Sequence, residues 1–149
     1  MPSTIIGCGG RTYIFGPHTT AWVARICTLL GVEECIDGGA PGADEGFHQF
    51  ALAHGMDSVR FFANWIRYER QAGPRRNAKQ LAYLRWVCSC ENITPYVIGL
   101  PGGRGTENMV VQAKRYGIPV LTPTIDDLQN LAHLPTTREE VFNANFCHR

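Results

Sequence analysis

Between two apolar runs, residues 100–109 read LPGGRGTENM, a stretch holding three glycines, a proline, a threonine and a glutamate. Glycines let the backbone come close to a ligand, a threonine hydroxyl can donate to a phosphate oxygen, and a carboxylate can accept from ribose hydroxyls or activate water. Two further stretches share this character: GCGGRT at residues 7–12 and GGAPGAD at residues 38–44. Cationic side chains that could meet an anion are Arg11, Arg75, Arg76 and Arg104.

The elements that must position these loops follow from periodicity. Short apolar runs alternate with longer amphipathic segments, which is the pattern of βα units and a mostly parallel sheet covered on both faces. Strands are expected at residues 4–8, 34–37, 59–62, 96–100 and 118–121. Helices are expected at 19–30, with Trp22, Val23, Ile26, Leu29 and Leu30 on one face, and at 42–54, with Ala43, Phe47, Phe50 and Ala51 turned inward. His48 falls on the outer side of that helix and His54 at its end. A third helix spans 74–87, opened by Pro74, and a fourth runs to about Tyr116 and buries Met109, Val110 and Ala113. Gly31, Gly55 and Gly117 stand where helices should stop. The stretch NWIRYERQAGPRRN is expected to be irregular, and residues 124–149 form a helical or partly ordered tail beyond a domain at 1–123.

With strands in the order 3-2-1-4-5, the first strand lies between the second and fourth. All three glycine loops then meet beyond the carboxyl ends of the strands, where such sheets bind ligands. Helix starts at Gly42 and Gly105 would aim unpaired N–H groups and positive dipole ends at that rim. The expected ligand-binding set is Gly9, Gly10 and Arg11 from the first loop; Gly38, Gly39, Ala40, Gly42, Ala43 and Asp44 from the second; and Pro101, Gly102, Gly103, Arg104, Gly105, Thr106 and Glu107 from the loop after the fourth strand. Arg76 and Asn77 are placed to close over the ligand and hold a phosphate and a base edge. Trp65 and Tyr68 can stack on a base or pack as a lid.

Composition narrows the classes. The 149 residues carry 44% apolar and 18% charged side chains and a formal net charge of +1, which suits one compact domain and predicts neither a general nucleic-acid binder nor a membrane-surface protein. No basic leader with an apolar stretch opens the chain, and no window nears the roughly eighteen apolar residues of a membrane span; a cytoplasmic location is the expectation. The six cysteines, Cys8, Cys27, Cys35, Cys88, Cys90 and Cys147, are expected to be reduced, four of them among apolar neighbours. Cys88 and Cys90 lack knuckle spacing, and neither a metal nor a cofactor is expected. The absence of G-x-x-x-x-G-K-[ST] and of G-x-S-x-G argues against Walker-type nucleoside triphosphatases and α/β-hydrolases.

Taken together, GGR after the first strand, GGAPGAD after the second, AGPRRN before the third helix and PGGRGTENMVVQAKRYGIPV resemble the SLOG superfamily of Rossmann-like α/β proteins. The wording is nearest to its YspA-related family, the domain of unknown function 2493, and covers residues 4–123. The resemblance implies a doubly wound, mostly parallel five-stranded sheet and a nucleotide or nucleotide-derived ligand such as an ADP-ribose-like molecule. It extends distantly to the LOG phosphoribohydrolases, which cleave the base from a nucleoside monophosphate, and to sensors in bacterial and phage conflict systems.

LOG-type enzymes carry a catalytic glutamate in PGGxGTxxE, and the position due for it here is Met109. Glu107 stands two residues earlier, about 200° around a helix, and cannot substitute from there. Asp44 and Glu107 remain as catalytic carboxylates if there is turnover, an N-glycosidic or phosphate bond being the target. The reading that needs no turnover is a nucleotide-binding sensor or sequestering protein. A nucleic-acid partner on the basic stretch Arg67 to Lys79 is a third, disfavoured by the near-neutral charge although a DNA-uptake protein shares the superfamily fold. A homodimer is expected, since Met109, Val110, Val111 and Tyr116 spread apolar surface around one helix.

Overall fold

A computed structural model describes residues 2–130 and 134–146. Its five strands, β1 (Ser3–Cys8), β2 (Val32–Asp37), β3 (Asp57–Arg60), β4 (Thr94–Gly99) and β5 (Val120–Leu121), form one sheet in the order β3-β2-β1-β4-β5. Every neighbouring pair is parallel. β1 is buried along its whole length, as a central strand covered on both faces must be.

Helices α1 (Pro17–Leu30) and α2 (Ala43–Ala53) supply side chains to one apolar layer, where Trp22, Val23, Ile26, Phe47 and Phe50 pack on Ile5, Cys35 and Ile98. The crossover from β3 to β4 contains α3 (Trp65–Tyr68), a 3-10 turn at Glu69–Gln71 and α4 (Ala72–Glu91), and α5 (Arg104–Arg115) joins β4 to β5. Leu81, Leu84, Met109 and Ala113 from α4 and α5 build the second layer on Ile6, Ile36 and Val97. The sheet is thus covered on both faces, a doubly wound α/β fold.

Several boundaries move, each for a local reason. α1 begins at Pro17, where the ring's fixed φ suits the first helical turn, rather than at Thr19. β3 is Asp57–Arg60 and not 59–62, because its ladder is set by pairing with Glu34 to Asp37 on β2; Phe61 packs against the second layer and Phe62 is 69% exposed. β4 starts at Thr94, and β5 shortens to two residues. α4 runs from 72 to 91, longer at both ends than the expected 74–87, and ends at Asn92 in the left-handed conformation. The stretch expected to be irregular contains α3, whose start is capped by the Asn64 side chain accepting from Arg67 N–H at 3.1 Å. Val110 is half-buried, not a core residue. His48 is half-buried too, its Nδ1 2.7 Å from Ser58 Oγ.

Beyond residue 123, α6 (Ile125–Gln129) opens with a capping box between Thr124 and Asp127. α7 (Arg138–Phe146) returns to the sheet, where Val141 joins the first layer and Arg138 donates to the Tyr96 hydroxyl at 2.9 Å. Cys8, Cys27, Cys35, Cys88 and Cys90 are free thiols, three buried, Cys88 half-buried and Cys90 exposed; Cys147 lies outside the described residues. Among the described residues no helix is long and apolar enough to cross a membrane.

Candidate functional site

The carboxyl ends of β1, β2 and β4 bring the three glycine loops into direct contact. Gly10 N–H donates to Pro101 C=O at 2.8 Å, and Gly10 C=O accepts from Ala43 N–H at 3.0 Å. Gly10 is therefore the knot between all three loops. The packing leaves no room for side chains: a Cβ on Gly42 (φ 81°) would strike the backbone of Gly10 and Arg11, and one on Gly102 would strike Thr106 Oγ1.

Around this knot opens a cavity of about 620 Å³. Of the expected ligand-binding residues, Gly9, Gly10, Arg11, Ala40, Asp44, Arg76, Asn77, Gly103, Arg104, Gly105 and Thr106 line it. Pro101 and Gly102 face a smaller neighbouring cavity beside Thr12 and Tyr13. Gly38, Gly39, Gly42 and Ala43 line neither cavity and instead form the scaffold behind it. Glu107 is exposed on the first turn of α5 and lines neither cavity. Met109, the position at which the LOG resemblance led to an expected glutamate, is 1% exposed within the second apolar layer.

The two helix starts are not equivalent. At α5 the first intrahelical bond runs from Glu107 N–H to Gly103 C=O at 3.0 Å, so the N–H groups of Arg104, Gly105 and Thr106 precede the ladder, an arrangement that could hold an anion. A Cβ at Gly103 or Gly105 would meet nothing, so the space before this terminus is open. At α2, by contrast, Ala43 N–H is spent on Gly10, and the carboxylate of Asp44 sits at the terminus, its Oδ2 accepting from Ala40 N–H at 3.1 Å. Of the N–H groups at the α2 start, that of Ala43 is taken up by Gly10. The α2 end already carries an acid of its own.

Asp44 is 6% exposed, and burial pushes its carboxyl pKa up to about 6, against the opposing pull of the Ala40 N–H and the Arg76 charge. Arg76 Nη1 lies 4.0 Å from Asp44 Oδ2 and also donates to Gly38 C=O. A Cβ on Gly38 would collide with that guanidinium, so the glycine is there to admit the arginine. Burial pulls the Arg76 pKa down, and the charge of Arg11 adds to this. Asp37, fully buried below, is held by Gly39 N–H at 2.7 Å and Arg60 Nε at 2.9 Å. Cys8 lines the floor; burial and the Asp44 charge raise its thiol to about 12, so it is no nucleophile at neutral pH.

Sequence reasoning placed Arg76 and Asn77 in the site but passed over several partners. Arg70, Gly73, Pro74, Gln80 and Asn108 also line the cavity. The signal was available in the i, i+3/i+4 spacing that sets Gly73, Asn77 and Gln80 on one face of α4, and Asn108 one turn after Arg104 and Gly105 on α5. Trp65 covers the cavity from α3, with the Arg11 guanidinium 4.9 Å from its ring centre. Among the described residues no group of three or more potential metal-ligating side chains forms a metal site.

Neither the known family models nor the curated proteins give a match to this chain. Among solved structures the chain is similar to DNA processing protein A (DprA) from Streptococcus pneumoniae, with 14% sequence identity and a TM-score of 0.45. The match covers 89% of this chain and 62% of that one, so this chain spans less than two thirds of the length of that protein.

Proposed function

We propose that this protein binds a nucleotide or nucleotide-derived, ADP-ribose-like ligand at the carboxyl rim of its sheet, acting as a sensor or sequestering protein of the SLOG, YspA-related kind. The carrying observation is the polarity of the cavity. Arg11, Arg70, Arg76 and Arg104 and the open start of α5 surround it, while Asp44 is the one acidic side chain among the described residues that lines it. Phosphate groups belong against the α5 terminus and the arginines; the vicinal hydroxyls of a ribose belong against Asp44, which accepts hydrogen bonds when ionised. A volume of about 620 Å³ suits a ligand of nucleotide size.

Mass spectrometry of small molecules released by denaturing the purified protein tests this reading, followed by calorimetric titration with ADP-ribose and nucleoside mono- and diphosphates. A nucleotide recovered from the protein, or micromolar binding of one of these compounds, is expected. Absence of both would overturn it.

A second reading is hydrolysis of a nucleotide N-glycosidic or phosphate bond. It is favoured by one observation, a buried carboxylate of raised pKa inside the cavity, the position in which Asp44 could stabilise an oxocarbenium-like state or take a proton from water. Release of free base or of phosphate, lost in Asp44→Asn, supports it; intact ligand after long incubation rejects it. Exposed Glu107 has no part in this version.

We also retain the homodimer, with a changed surface. Met109 is buried and unavailable, and the exposed apolar side chains on this side are Trp86 of α4 and Val111 and Tyr116 on and just after α5. Light scattering that gives only a monomer rejects it.

A further inference from the structure

Behind the arginines, the cavity wall is neutral, a chain of three side-chain amides. Asn77 is its centre and is 3% exposed. Its Oδ1 accepts from Arg76 Nε at 3.0 Å, and its Nδ2 donates to Gly105 C=O at 3.2 Å and to Asn108 Oδ1 at 3.0 Å. A guanidinium can only donate and a backbone carbonyl can only accept, so the orientation of the Asn77 amide is fixed by two partners without ambiguity. The neighbours inherit that polarity. Gln80 Nε2 turns toward Asn77 Oδ1 at 3.5 Å, leaving Gln80 Oε1 directed elsewhere. Asn108 Oδ1 takes a second bond, from Gln112 Nε2 at 2.7 Å, leaving Asn108 Nδ2 with no acceptor among the described residues.

Gln80 is 2% exposed, and its Oε1 has no hydrogen-bond partner among the described residues. Among the described residues, two other buried side-chain atoms share that condition, on Glu34 and Arg60, and neither residue lines the cavity. An unmet buried acceptor beside a cavity calls for a donor, and a ligand that enters the cavity can supply it.

We propose that Gln80 and Asn108 form a reading edge for an amino-substituted base, Gln80 Oε1 accepting from an exocyclic N–H and Asn108 Nδ2 donating to the adjacent ring nitrogen. The class selected is the amidine edge of adenine rather than the lactam edge of hypoxanthine, which presents the reverse order of donor and acceptor. Arg76 thereby has two roles, anion contact and the lock that sets the polarity of the amide chain. The inference rests on the nucleotide reading above and adds the identity of the base edge.

The test is calorimetric titration with two probes that differ only in that edge, ADP-ribose and its hypoxanthine analogue. The wild-type protein should bind ADP-ribose about tenfold more tightly, the usual scale for one neutral hydrogen bond made or lost in a buried site. Gln80→Met keeps the side-chain length without the acceptor and should bring the two probes to within about threefold, with the phosphate-driven part of binding retained. Asn108→Asp keeps the oxygen held by Asn77 and Gln112, removes the outward donor, and should narrow the same gap independently should the Gln80 variant fail to fold. Equal binding of both probes by the wild type, or an undiminished preference in both variants, overturns the assignment of the edge and leaves the nucleotide reading standing. Failure of both probes to bind overturns both readings.

Discussion

Arg76 Nη1 stands 4.0 Å from Asp44 Oδ2, yet the carboxyl pKa of Asp44 is raised to about 6, because burial outweighs the neighbouring charge. The two residues come from different loops and are held by backbone groups, Asp44 by Ala40 N–H and Arg76 by Gly38 C=O. They form a loose pair, 4.0 Å apart.

The pH dependence follows from that pair. Between 3.8 and about 6 the folded protein keeps the Asp44 proton that the unfolded chain has already lost. Stability therefore falls as pH rises through this window and levels off above it. Asp44→Asn should flatten this part of the profile and raise stability at neutral pH by on the order of 1 kcal/mol. Thermal unfolding from pH 4 to 8 checks it, and a wild-type curve that rises across the window contradicts it.

The glycines separate into two groups by experiment. Gly42→Ala places a Cβ against the backbone of Gly10 and Arg11 at a φ of 81° and should cost about 2 kcal/mol or more in urea unfolding. Gly105→Ala meets open space within α5 and should be neutral to stabilising by about 0.5–1 kcal/mol, yet it should weaken anionic ligands by narrowing the cradle. Measuring both stability and affinity for both variants distinguishes a structural glycine from a ligand-facing one.

Trp65 provides an optical readout. It is 46% exposed and covers the cavity under Arg11, whereas Trp22 is buried in the first layer. Ligand binding should change tryptophan fluorescence, and Trp65→Phe should abolish most of the change. Arg11→Ala should weaken an anionic probe about tenfold and reduce the salt dependence of its affinity. An unaltered ligand-induced signal in Trp65→Phe would place the ligand elsewhere.

A glutamate at position 109 should not make this chain a base-releasing enzyme. Met109→Glu buries a carboxylate in an apolar layer and should destabilise the fold by several kcal/mol, about 3–5 by comparison with other unpaired buried charges. Met109→Leu conserves volume and should cost less than about 1.5 kcal/mol. A folded, stable Met109→Glu protein that releases base from nucleotides would contradict this.

Much of the scaffold was legible in the chain. Alternating short apolar runs and amphipathic segments determine the βα succession, because a strand covered on both faces and a helix buried on one leave different periods in the sequence. Glycine clusters at strand ends mark the rim for a similar reason, since loops that touch each other's backbone exclude Cβ atoms. Given the strand order common to such sheets, the meeting of GCGGRT, GGAPGAD and PGGRGT followed.

What only the tertiary structure decided is which groups are free. Both helix starts look alike in sequence, but Ala43 N–H is consumed by a carbonyl from 33 residues earlier, so the two starts present different groups to the rim. Glu107 and Asp44 are both first-turn carboxylates, and only the rotation of each helix against the sheet puts one in solvent and the other in the cavity. Gln80 reads as an ordinary polar helix residue until Arg76, Asn77 and Gly105 are brought around it and leave its oxygen without a donor. Hydrogen-bond satisfaction is a property of neighbours in space, and the chain order of residues does not encode it locally.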